Sequence, residues 1–104
     1  MNFSTYQVKA RQTAIYDKEK YAIIYPALGL AGESGETVEK VKKFIRDGQL
    51  DRDGLIKELG DVLWYLANMA SDLGVSLETI AEINIEKLEK RAANNTLQGS
   101  GDNR

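Results

Sequence analysis

Between Pro26 and Arg46 the chain carries no further proline, and its apolar residues recur with a helical period. Placed at about 100° per residue, Leu30, Val38, Val41, Phe44 and Ile45 share one face, which predicts a long amphipathic helix. Within it, LGLAGESGETVEKVKK (Leu28 to Lys43) sets Glu33, Glu36 and Glu39 at three-residue intervals and also holds Gly29, Gly32 and Gly35. Each interior glycine costs about 0.8–1 kcal/mol against alanine. Like charges three residues apart add a few tenths of a kcal/mol of repulsion. So costly a helix implies a use for its acids. The bare glycine strip fits close helix packing and ligand clearance equally well.

The remaining chain reads as three more helices. Ser4 is a candidate N-cap for the first, with Gln7 completing a capping box, Phe3 stapling against Val8, and the helix reaching about Tyr16. Asp17 to Ile24 shows no clean period and reads as a connection ending in a buried YAII anchor. Pro26 suits the first turn of the second helix, and Asp47-Gly48 marks its end. Asp51 or Asp53 caps a third helix, with Leu55, Leu59, Val62, Leu63, Leu66, Met69, Ala70 and Leu73 on one face and a stop at Gly74. Ser76 caps the fourth, which runs through Leu77, Ile80, Ile83, Ile85 and Leu88 to about Ala93. The expected fold is therefore all-α, a four-helix-bundle-like domain over residues 1–93. Residues 94–104 form an irregular tail rich in Gly, Asn and Ser.

The second and third helices carry matching acid pairs, Glu33/Glu36 and Glu58/Asp61, each with one member bordering the apolar face and one a step beyond. A short connection between them implies antiparallel packing, which lets four carboxylates converge. The chain has no histidine and no cysteine. That removes disulfides, thiolate metal sites and the commonest general base, and leaves oxygen donors that favour Mg²⁺, with Mn²⁺ as a substitute. Each acid taken singly also has the ordinary reading of a solvated surface group. Glu39 projects further round and reads as a surface partner of Lys42 and Lys43. Lys87, Lys90 and Arg91 fit either a solvated basic face or contacts to triphosphate oxygens. Trp64 and Tyr65 read as core or interface residues rather than a base-stacking platform.

Net charge is −2, from 14 basic and 16 acidic residues, which gives no case for a nucleic-acid partner. No apolar run is long enough for a membrane span, and MNFSTYQVKA lacks a signal-peptide core, so the expected location is cytoplasmic. At 104 residues the core is small enough that subunit contacts are expected to add burial.

The segments GLAGESGETVEKVKK, KELGDVLWYLANMASDLGVSLETI and NIEKLEKR together resemble the MazG-like nucleotide pyrophosphohydrolases of the all-α NTP-pyrophosphatase superfamily. The resemblance covers Leu28 to Arg91, and the tail TLQGSGDNR is similar to that of small phage and prophage members. It implies a homodimer or homotetramer that cleaves nucleoside triphosphates, deoxynucleotides foremost, to the monophosphate and pyrophosphate with Mg²⁺. The family's metal ligands fall on Glu33, Glu36, Glu58 and Asp61. Its first motif often opens with two adjacent acids, and here Gly32 stands at the first of them, which leaves four ligands. Asn84, Lys87 and Arg91 match the family's phosphate- or sugar-contacting positions. In a water-attack mechanism Glu36 is the candidate catalytic base. The alternative function is a non-catalytic helical interaction module that dimerises through the glycine strip and Trp64. A di-iron carboxylate bundle is disfavoured because it needs Glu-x-x-His pairs.

Overall fold

Four α-helices and no strands make up the computed structural model, which describes residues 1–104. They are α1 (Phe3–Gln12), α2 (Ile24–Asp47), α3 (Arg52–Asp72) and α4 (Leu77–Ala93). The two longest, α2 and α3, are joined by the short stretch 48–51 and pack along each other as an antiparallel hairpin. α1 lies against α3, and α4 packs on α1 and α3 but not on α2. No helix is long and apolar enough to cross a membrane.

The helix ends follow local chemistry, in places different from that expected. Asn2 caps α1, its side-chain oxygen accepting the Thr5 N–H at 2.9 Å. Ser4 lies inside the helix, which stops at Gln12 rather than Tyr16. Gln7 is not part of a capping box: its amide donates to Ser71 Oγ at 3.1 Å and the Val75 carbonyl at 2.9 Å, and its oxygen accepts the Leu77 N–H at 2.9 Å. Phe3 and Val8 are both exposed. Asp51, not Asp53, caps α3 by accepting the Gly54 N–H at 3.0 Å. A Cβ on Gly54 would collide with that carboxylate, so the cap and the glycine belong together. Ser76 caps α4 through the Thr79 N–H.

At the other ends, Gly48 sits at φ 77° after α2 and Gly74 at φ 73° after α3. The Val75 N–H reaches the Ala70 carbonyl and the Gly74 N–H that of Ser71, the paired bonds of a Schellman motif. Asn95, at φ 57°, plays the glycine's part after α4, where the Thr96 N–H donates to the Arg91 carbonyl at 2.7 Å.

The YAII segment is not a buried anchor, since Ile23 and Ile24 are exposed. Instead Ile23 is the centre of a strained γ-turn, at φ 70° and ψ −46°, closed by the Ile24 N–H on the Ala22 carbonyl at 2.7 Å. Asp72, from the far end of α3, accepts the Ile23 N–H, and Pro26 is buried just inside α2. Tertiary contact thus holds the start of a helix that has no side-chain cap of its own.

Only 8 of the 104 residues are buried, mainly small ones: Ala10, Ala67, Ala70 and Leu77 form the centre, with Tyr6, Trp64, Leu66 and Ile80 packed around it. The apolar faces assigned from the sequence are largely uncovered. Val38 is 65% exposed, Ile45 79%, Leu59 52% and Ile83 61%. The radius of gyration, 16.3 Å, exceeds the value of about 13 Å for a closed 100-residue domain. These helices form an open arrangement whose apolar stripes outrun the interior that one chain provides.

Candidate metal centre

The amphipathic register of α2 and α3 turns Glu33 and Glu58 toward the helix interface, where both are half-buried, while Asp61 stays exposed at its edge. One carboxylate oxygen from each of the three lies within 4.8 Å of the other two. Opposite ligands of an octahedral Mg²⁺ are about 4.2 Å apart. Adjacent ligands of such an ion lie only about 3 Å apart, so the three side chains must swing inward to share it; the donor set is all hard oxygen, and in its chemistry it fits a hard divalent ion. Glu36, one turn further along α2, stands outside this group of three and is exposed.

Electrostatics agree with the geometry. The Glu33 carboxyl is raised above its ordinary value of 4.5, first by burial, then by its hydrogen bond to Glu58 and by the charges of Asp61, Glu58 and Glu36. Three acids so close repel one another, and a cation relieves that repulsion. Lys40 supplies part of the balance: it pairs with Asp51 at 2.9 Å, which raises its own pKa, and it also feels Glu58 and Glu36.

Around the acids the glycines divide. A Cβ on Gly29 would run into the Tyr65 ring, so Gly29 serves helix packing. A Cβ on Gly32, Gly35 or Gly60 would meet nothing within 4 Å, so the surface beside the acids is open. Tyr65 is raised by burial first, then by Tyr25, and lies close enough to feel Glu33 and Asp61. It continues an aromatic row, with Tyr16 stacked on Tyr25 at 4.9 Å, Tyr25 against Tyr65 at 6.3 Å and Trp64 edge-on to Tyr65 at 5.0 Å. Trp64 also donates its indole N–H to Thr13 Oγ1 at 2.8 Å, a structural role. Glu39 pairs at the surface with Lys42 at 3.0 Å.

Asn84, Lys87 and Arg91 form a second group, on α4, which does not pack against α2. Asn84 lines a shallow apolar cleft with Phe3, Leu63, Leu66, Leu77 and Ile80. Lys87 pairs with Asp102 of the tail at 3.2 Å. Arg91 is buried and donates to the carbonyls of Asp102 at 2.9 Å and Gly101 at 3.3 Å, while Lys90 remains on the exposed surface.

Sequence reasoning passed over Asp72, Asn68 and Lys40. Asp72, 1% exposed in its side chain, takes Arg11 at 2.7 Å and Tyr16 Oη at 2.8 Å. Asn68 is fully buried, donates to the carbonyls of Trp64 and Ala10, and accepts from Arg11. A polar residue on the apolar stripe of α3 was the available signal for Asn68. Nothing local marked Asp72 or Lys40, because their partners are distant in the chain.

The family model of the MazG nucleotide pyrophosphohydrolase domain matches residues 26–96. The chain is also 44% identical, over 114 aligned residues spanning all of both proteins, to the Gene 37 protein of Mycobacterium phage L5. No solved structure matches.

Proposed function

The chain belongs to the MazG nucleotide pyrophosphohydrolase family, and from that premise we propose that it hydrolyses nucleoside triphosphates, deoxynucleotides foremost, to the monophosphate and pyrophosphate. The observation that carries this reading is the convergence of Glu33, Glu58 and Asp61 oxygens within 4.8 Å on facing helices. Those three carboxylates hold Mg²⁺, or Mn²⁺ in its place, and Glu36 joins them or acts beside them. The bound ion supplies charge neutralisation of the triphosphate and a lowered pKa for water.

The protein's own part is positioning and proton transfer. Water adds in line at the α-phosphorus, its proton passes to the Glu36 carboxylate, and the bond to the bridging oxygen breaks as pyrophosphate leaves. Lys87 and Arg91 take charge on the leaving group, and Asn84 contacts phosphate or sugar. Open backbone at Gly32, Gly35 and Gly60 leaves access to the acids. We further read the uncovered stripes of α2, α3 and α4 as subunit contacts of a homodimer or homotetramer.

The test is to incubate the purified protein with a panel of nucleoside triphosphates and Mg²⁺, and to measure pyrophosphate against phosphate. Pyrophosphate with the monophosphate is expected, and Asp61→Asn or Glu36→Gln abolishes it while the helical content is retained. Phosphate release alone, or full turnover in Asp61→Asn, overturns the proposal. A chain that is only an interaction module hydrolyses none of the panel and gains no thermal stability from Mg²⁺.

A further inference from the structure

We propose that the C-terminal tail is a latch on the proposed phosphate-binding cations of α4, with Asp102 occupying the place of a substrate anion until one displaces it. The inference rests on the reading of Lys87 and Arg91 as phosphate contacts.

The tail is folded back rather than trailing. Asn95 reverses the chain after α4, and Arg104 then ties the returning segment to itself through the carbonyls of Thr96 at 3.1 Å, Leu97 at 2.9 Å and Gly101 at 2.6 Å. The loop so closed delivers three acceptors to two cations. The Asp102 carboxylate meets Lys87 at 3.2 Å and Arg91 at 3.6 Å, and the carbonyls of Gly101 and Asp102 accept from Arg91 Nη2. Lys87 and Arg91 lie one helical turn apart, so the two cations face the same anion.

The hydrogen bonding of Arg91 is incomplete. Its side chain is 6% exposed, yet its Nε–H is buried without a partner. A buried guanidinium with an unused donor is costly for a purely structural clamp. It is the arrangement expected of a site whose full ligand has more oxygens than a carboxylate and two carbonyls provide, and a phosphate or pyrophosphate group has them.

The latch is also weak enough to open. Asp102 is 84% exposed, and its pair with the part-exposed Lys87 contributes little holding strength, which leaves the contacts to buried Arg91 as the main hold on the tail. Lys87, and after it Arg91, hold the Asp102 carboxyl below its ordinary value of 3.8, so the latch is charged at neutral pH. A ligand that must displace it binds with its intrinsic affinity reduced by the fraction of chains that are open.

The experiment titrates inorganic pyrophosphate by calorimetry into three metal-free proteins: the full chain, Asp102→Asn, and a chain ending at Thr96. Lys87→Ala is introduced into each as a control, and amide exchange of residues 97–104 is followed in the full chain. Pyrophosphate is expected to bind the shortened chain about tenfold tighter than the full chain, with Asp102→Asn between them. Exchange of 97–104 is expected to rise as pyrophosphate saturates the full chain. Because Asp102 is exposed, Asp102→Asn keeps the test decisive even where the shortened chain fails to fold. Equal affinity in the full chain and Asp102→Asn, with binding lost in Lys87→Ala, overturns the latch while leaving Lys87 as a phosphate contact. Pyrophosphate binding that ignores Lys87→Ala, or no binding in any chain, overturns both the latch and the reading beneath it. Neither result bears on whether Glu33, Glu58 and Asp61 hold the metal, which the hydrolysis assay tests separately.

Discussion

The Asp72 carboxylate accepts the backbone N–H of Ile23 at 2.9 Å, so the last residue of α3 fixes the first turn of the helix that carries Glu33. The same carboxylate holds Arg11 and the Tyr16 hydroxyl. Through it, α1, the γ-turn at Ile23 and the α2–α3 hairpin share one anchor.

Removing that anchor should be costly. Asp72→Ala leaves Arg11, Tyr16 and the Ile23 N–H without their acceptor, a loss on the order of 3 kcal/mol. For a chain of this size that lowers the Tm by ~12 °C or more in a thermal melt. Burial pushes the Asp72 carboxyl up, but the Ile23 N–H, Tyr16 and Arg11 outweigh it and hold it below its ordinary 3.8. Its contribution is therefore complete above 3.8 and disappears as the pH falls through the lower folded value. Wild type should lose stability across that acid window faster than Asp72→Ala. Parallel acid profiles for the two proteins would remove Asp72 from this role.

Gln7 offers a second anchor. Its side chain takes the Leu77 N–H and gives its own N–H groups to Val75 and Ser71, which joins the α3–α4 turn to α1. Gln7→Ala is expected to cost about 1–2 kcal/mol. Gln7→Glu should cost a similar amount, because it keeps the acceptor for Leu77 but sets a carboxylate against the Val75 carbonyl. Thermal melts give the size, and faster exchange of the Leu77 amide locates the effect. An unshifted Leu77 amide would contradict the contact.

These anchors mark what the sequence shows and what it hides. The periods of α2, α3 and α4, the caps at Asp51 and Ser76, and the stops at Gly48 and Gly74 are local signals, and the helices follow them. The facing of Glu33 with Glu58 and Asp61 follows from helical register and a short hairpin connection, but Glu36, expected to converge with them, stands outside the group because its register turns it to the exposed side of α2. The start of α1 was misread because Asn2 and Ser4 are both good caps, and Gln7 has a distant partner that outbids a local one. Burial was misread for another reason. Periodicity says which residues are apolar together, but not whether the same chain has enough surface to cover Val38 or Ile45.

The glycines of α2 should separate by substitution. Gly29→Ala forces the Tyr65 ring away from α2 and is expected to cost about 1–3 kcal/mol, as overpacking does. Gly35→Ala meets open space and should stabilise the helix by about 0.5–1 kcal/mol through propensity alone. Denaturant titration of both variants measures the pair. A destabilising Gly35→Ala would mean that something outside this chain packs on that face.

Glu33 should oppose stability to function. Its half-buried carboxylate shares the helix interface with Glu58 and Asp61, and in the metal-free protein their repulsion favours unfolding. Glu33→Gln keeps the size and removes one charge, and relief of this kind commonly adds about 0.5–2 kcal/mol. The metal-free variant should therefore melt several degrees above metal-free wild type at neutral pH. Millimolar Mg²⁺ should reverse the order. A ligand that binds only the folded state stabilises it in proportion to the logarithm of its concentration over its dissociation constant, so wild type gains and the variant does not. Scanning calorimetry of both proteins with and without Mg²⁺ reads the crossing directly. If Mg²⁺ raises the Tm of Glu33→Gln as much as that of wild type, the ion is held elsewhere and the cluster is not its site.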